Sequence, residues 1–325
     1  MELKGKALFN LLKIQSEETP ASEVKPWQIE DLESLSITEL FSRLKKLGLI
    51  LDEQSFSLYA ENVESPEELT ECIWCEEEIT EGYDQVYLIV FELWKRLEKE
   101  KFCLSIFCDE LDKLIYLYDR GELQEEERLQ KALGLLEDIL DTAFDQTKDA
   151  SAVFSEVASY SAHDLEHFLT DYISDQIAGG QTTYASELID AFYPYVKKRS
   201  FDLLRASLLA ESDLEASNRM YTRILEELLE SRDVESTLQV VEGLIHHGHV
   251  RLFTQAAAQA LELVKVEEEV QLLLMLIAEY YRCLDRQESQ EKIEALLAER
   301  LSFEKTRTLS KEDPLFPLVR SVLGL

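Results

Sequence analysis

The sequence predicts an all-α protein, arranged as an irregular α-solenoid of stacked helical hairpins, with helical bundle domains as the alternative architecture. Three observations predict it. Glycine and proline are scarce, at 10 and 6 of 325 residues, so little in the chain interrupts a helix. Helix-start signals recur from Ser36 onward. Apolar residues fall at three- and four-residue spacing, and alternating segments joined by glycine turns are lacking.

The elements follow in order. Residues 1–14 read as a short amphipathic helix with Leu8, Leu11 and Leu12 on one side. Residues 15–35 contain the breakers Pro20 and Pro26 and read as a linker or an ordered wrap anchored by Trp27 and Ile29. Residues 36–145 form an expected N-terminal helical domain, and 146–325 an expected C-terminal, repeat-like helical domain. Helices are predicted over 37–47, 53–61, 66–79, 84–100, 103–119 and 123–143, then over 149–160, 163–178, 182–197, 200–210 and 213–231. Four more follow over 234–247, 250–264, 267–284 and 288–302.

The starts have a physical basis. Ser36 with Glu39 fits a capping box, in which each side chain satisfies the other residue's backbone N–H. Ser65-Pro66-Glu67-Glu68 adds a proline at the first helical position. Ser161 with Asp164 and Ser212 with Glu215 are further candidates, and Gly179-Gly180 reads as a stop. In the 103–119 helix, Phe107, Cys108, Leu111, Leu114, Ile115 and Tyr118 fall within about 120° of arc, one packing face. In 270–284, Leu272, Met275 and Leu276 lie off the face of Val270, Leu273, Leu274, Ile277 and Tyr281. A helix that is apolar nearly all round belongs inside a stack.

Three junctions share an apolar helix end, a short charged turn and a new amphipathic helix: Tyr116–Leu123, Leu228–Glu235 and Tyr280–Gln287. They resemble the mid-repeat turn of tetratricopeptide repeats. Leu274, Ile277, Ala278 and Tyr281 stand where that family places first-helix core residues. The pattern departs at Gln290, where a small residue is usual, in the junction spacing and in the absent closing proline. The resemblance covers 213–302 in degenerate form and extends in type to HEAT-like stacks. It implies a concave surface that receives a peptide or partner helix, and no catalytic residue.

Charge narrows the partners. The net charge is −33, which works against phosphate backbones and anionic membrane surfaces. The longest strongly apolar run, Val270 to Ala278, is too short to span a bilayer. Five cysteines, an odd number and unevenly spaced, together with no recognisable secretory leader, point to a reducing, cytoplasmic setting.

Candidate chemistry is sparse. His163-Asp164-Leu165-Glu166-His167 matches the H-x-x-E-H of inverted zinc peptidases. With Leu165 as zero, however, His163 and His167 project at about 160° and about 200°, away from the apolar face, and read as surface histidines. His246-His247-Gly248-His249 reads as a helix C-cap. Cys72 and Cys75 form a C-x-x-C, with Cys103 and Cys108 following, but the spacing is unlike zinc ribbons and Cys108 lies on a core face. The acidic runs 76–78, 125–127 and 267–269 read as solvated faces or helix N-terminal turns. Lys197-Lys198-Arg199 reads as the capped end of the 182–197 helix, or as a grip for an acidic peptide terminus.

The expected function is therefore a non-catalytic scaffold or adaptor that binds a protein or peptide partner without metal or cofactor. An acidic secretion-associated chaperone or gatekeeper, and a metal-dependent hydrolase using His163, Glu166 and His167, are the alternatives.

Overall fold

A computed structural model describes residues 2–18, 24–74, 81–246, 249–310 and 312–325. Among them are seventeen α-helices and no strand; the sole β-type pairing is an antiparallel bridge between Val266 and Thr308. None of the described helices is long and apolar enough to cross a membrane. The chain divides into two compact units, Met1–Phe168 and Leu169–Leu325.

The first unit begins with α1 (Ala7–Glu18), followed by two 3-10 turns at Pro26–Gln28 and Leu32–Ser34. Then come α2 (Ile37–Lys46), α3 (Glu53–Ala60), α4 (Pro66–Ile73), α5 (Glu81–Leu97), α6 (Leu104–Asp119), α7 (Glu126–Thr147) and α8 (Ala150–Ala158). The starts of α2 and α4 use the predicted caps: Glu39 N donates to Ser36 Oγ at 3.3 Å, and Glu68 N to Ser65 Oγ at 3.2 Å. The central element is α5, buried continuously from Val86 to Trp94. Its β-branched run is helical here and packs on α2, α4 and the Leu32–Ser34 turn. Leu40, Leu44, Phe56, Val90, Leu93 and Trp94 form the main core, and Phe9 of α1 joins Tyr87, Leu88 and Phe91 in a second cluster.

The second unit comprises most of α9 (Leu165–Ala178), then α10 (Thr182–Phe192), α11 (Lys198–Ala210), α12 (Leu214–Ser231), α13 (Val234–Gly243), α14 (Val250–Leu263), α15 (Glu267–Cys283), α16 (Gln287–Arg300) and α17 (Leu315–Leu323). Consecutive helices pair as α11 with α12, α13 with α14 and α15 with α16; α11 also packs on α13, α13 on α15, and α14 on α12 and α17. One continuous core runs through these helices, from Leu203 to Leu323.

Several sequence expectations change. The predicted 182–197 helix stops at Phe192, with Tyr193 still in helical geometry as its cap, because Pro194 has no N–H to donate to the next carbonyl of the ladder. Lys197-Lys198-Arg199 therefore opens α11 rather than closing α10. Asp164, not Ser161, caps α9, accepting from His167 N at 3.1 Å. Asp213, not Ser212, caps α12, accepting from Ala216 N at 2.9 Å. The expected cap at His246–His249 includes residues 247 and 248, which lie outside the described residues.

Candidate functional site

In the first unit, two carboxylates of α6 face α1. Burial opposes the charge on Asp109, yet the Lys6 and Lys95 ammonium groups and the Asn10 amide hold its carboxyl below the usual range. The Lys6 and Lys95 contacts are 3.0 and 3.4 Å, and Asn10 Nδ2 donates at 3.0 Å. Asp112, three residues on, fastens the loop before α9. It accepts from Ser161 Oγ at 2.6 Å and Ala162 N at 2.8 Å, and its Oδ1 lies 3.0 Å from His163 Nδ1. A cleft of about 240 Å³ opens above them, between α1 and the 26–34 turns, with Phe9, Ile14, Leu32 and Leu88 in its walls.

This geometry revises the histidine reading. His163 is a half-buried loop residue ahead of α9, not a surface position on it. Glu166 and exposed His167 lie in the first turn of the helix. Among the described residues no three His, Cys, Asp or Glu side chains are grouped to hold a metal ion. Cys72 is exposed on α4, whereas Cys103 and Cys108 are buried; Cys75 lies outside the described residues. Burial pushes the Cys108 thiol far above its ordinary value, as expected of a cysteine that serves as a small apolar filler.

Sequence reasoning missed a basic cluster in this unit. Lys95 and Arg96 on α5, with Lys113 on α6, converge on the 30–35 segment. Arg96 Nη1 donates to Leu35 O at 2.5 Å, and its Nη2 to Leu32 O at 3.0 Å and Glu33 O at 3.1 Å. Lys95 and Lys113 reach Glu33 at 3.1 and 2.8 Å. Partial burial opposes the charge on Glu33, but the two ammonium groups bring its carboxyl down to about 2. The signal was present as Trp94-Lys95-Arg96-Leu97-Glu98-Lys99-Glu100-Lys101, but interleaved glutamates masked it and Lys113 comes from another helix.

In the second unit, α15 is buried along Val270, Leu273, Leu274, Leu276, Ile277 and Tyr281. The remaining stripe carries Leu272 and Met275, 40% and 49% exposed. At the start of α11, Lys197 and Lys198 are exposed, while Arg199 Nη1 lies 3.2 Å from Asp233 Oδ2, the cap of α13. That carboxylate offsets the unfavourable placing of cations at a helix N-terminus.

Comparison with family models, with curated proteins and with solved structures finds no match to this chain.

Proposed function

We propose that the protein is a non-catalytic, cytoplasmic scaffold or adaptor whose second unit presents a row of helices to a partner peptide or helix. The observation that carries this reading is the exposure of Leu272 and Met275 on a helix whose other apolar side chains are buried. Two large apolar groups one turn apart, held in water on a helix packed against α13, α14 and α16, suit the apolar face of a docked helix.

The arrangement of neighbours supports it. α11, α13 and α15 pack in succession, each paired with the helix that follows it. The α11–α13 contact joins Arg199 to Asp233, and the α12–α14 contact joins Leu225 O to Gln259 Nε2 at 3.3 Å. Both contacts link positions thirty-four apart, the period of tetratricopeptide repeats. The reading is therefore a tetratricopeptide-like stack in which α11, α13 and α15 line the receiving side. Lys197, Lys198 and Arg199 stand at one end of that row, placed to grip an acidic end of the partner. In the first unit, Asp109, Asp112 and His163 are engaged with one another's helices and loops, which fits binding better than turnover.

The test compares full-length wild type with Leu272→Asp/Met275→Asp as baits. A partner retained by wild type and lost from the double variant, at unchanged melting temperature, supports the proposal. Equal recovery of the same partner by both sinks it.

A further inference from the structure

We propose a second interaction site, on α5 and α6 of the first unit, that recognises an acidic, leucine-bearing segment of a partner protein and is occupied here by the chain's own residues 30–35. It does not depend on the face proposed on the second unit.

The segment is held as a ligand would be held. No residue from 24 to 36 is buried, so little apolar burial fastens this stretch, which places it at the low-stability end of the fold. Four cations from three helices grip it instead. Arg43 on α2 pairs with Glu30 through two contacts of 2.6 and 2.8 Å. Lys95 and Lys113 share the Glu33 carboxylate, and Arg96 reads three backbone carbonyls. Carbonyl recognition is indifferent to side chains, so specificity rests on the two acidic residues and on Leu32 and Leu35, which pack partly buried against the core. Another segment with the same pattern satisfies every one of these contacts.

The cationic surface is also larger than its occupant. Beyond Glu33 an open cleft of about 610 Å³ continues past Lys95 and Lys113 to Lys99, Lys101 and Trp94. Lys101 is committed to the carbonyls of Ala60 and Val63, but Lys99 makes no ion pair or hydrogen bond among the described residues. Of the carboxylates that share the cleft, Glu33 and Glu92 are held by cations, Glu110 lies 3.8 Å from Lys95, and Glu98 faces it. In a chain with 66 acidic and 33 basic residues, this concentration of lysine and arginine selects an acidic partner over a basic one.

The experiment uses the full chain and a labelled peptide of the sequence from Gln28 to Ile37, followed by fluorescence anisotropy. Binding to wild type is expected to be weakened by competition from the tethered segment. In Glu30→Gln/Glu33→Gln, which loosens that segment, the peptide should bind about tenfold tighter, because the competent state is more populated. Lys113→Ala should weaken peptide binding, whereas Lys99→Ala, at a residue hydrogen-bonded or ion-paired to none of residues 28–37, should leave binding of this peptide and the melting temperature unchanged. A peptide with its Glu and Asp replaced by Gln and Asn should not bind. Hydrogen exchange on wild type should show residues 30–35 opening well before α5. The proposal is overturned if the folded, loosened variant binds no peptide, if the neutral peptide binds equally, or if residues 30–35 are protected as strongly as α5.

Discussion

Arg300 encloses the carboxylate of Glu267, a residue with no exposed surface, through two parallel hydrogen bonds of 2.6 and 2.8 Å. The same guanidinium takes Asp313 at 3.0 and 3.1 Å. One arginine at the end of α16 thereby ties the start of α15 to the segment leading into α17. The first-turn N–H groups of α15, which a helix cannot satisfy internally, are met by the returning chain: Glu267 N donates to Arg307 O at 2.9 Å and Glu268 N to Lys305 O at 3.0 Å. Glu267–Glu269 is thus a helix N-terminal turn, as one sequence reading held, but its first member is not solvated.

Arg300→Ala should be the most damaging change in this region. It strands a buried carboxylate, and breaking such a pair costs about 3–5 kcal/mol. Arg300→Ala/Glu267→Leu should recover a large part of that loss. Chemical denaturation of the single and double variants checks both expectations.

Gly243 permits a close approach within the second unit. A Cβ there would stand 2.3 Å from the hydroxyl of Tyr221, a side chain 1% exposed whose oxygen lies 2.8 Å from Ser207 Oγ. Gly243→Ala should therefore destabilise by about 1–3 kcal/mol through overpacking, although alanine is the better helix former. Tyr221→Phe in the same chain should relieve part of it. A melting series across the three variants reads the effect.

Asp112 accepts from the loop preceding α9 and from Asn10 of α1. Asp112→Asn turns an amide group toward these donors and should cost about 2 kcal/mol. Hydrogen exchange should show the loss first at residues 161–164.

The acid limb of stability should report Glu33. Its carboxyl falls from 4.5 in the unfolded chain to about 2 in the fold. A lowered value means stabilisation that is complete above about pH 4.5 and lost as pH falls through about 2. Asp109, also lowered, acts in the same direction. Glu33→Gln should flatten the stability profile between those limits, and the effect should shrink in high salt because Glu33 is 40% exposed. Side-chain carbon shifts followed by NMR during acidification supply the direct reading.

Thiol labelling of the native protein separates the cysteines. Exposed Cys72 and Cys283 should react within minutes, whereas buried Cys103 and Cys108 should wait for unfolding. Burial raises both of the latter thiols, Cys108 more strongly, and so withholds the reactive thiolate. Mass spectrometry of quenched samples distinguishes the two classes.

The sequence by itself determined the helical class, since helix starts, stops and apolar periodicity are local properties of neighbouring residues. Ser36 and Ser65 caps, the Gly179-Gly180 stop and the Cys108 core face were legible for that reason. It also marked α15 as a largely buried helix, but of the three residues off its main face, Leu276 is buried whereas Leu272 and Met275 are exposed. Only the tertiary structure decided which charges are spent. Glu267 reads as one of three equivalent glutamates until Arg300 arrives from thirty-three residues away. His163 reads as a surface residue on a helix until Asp112 holds it in a loop. The α17 helix and the cation cluster around Glu33 were missed likewise, the first hidden among prolines, the second split between α5 and α6 and diluted by glutamate. A charge's environment is set by residues remote in the chain, and local pattern carries no record of them.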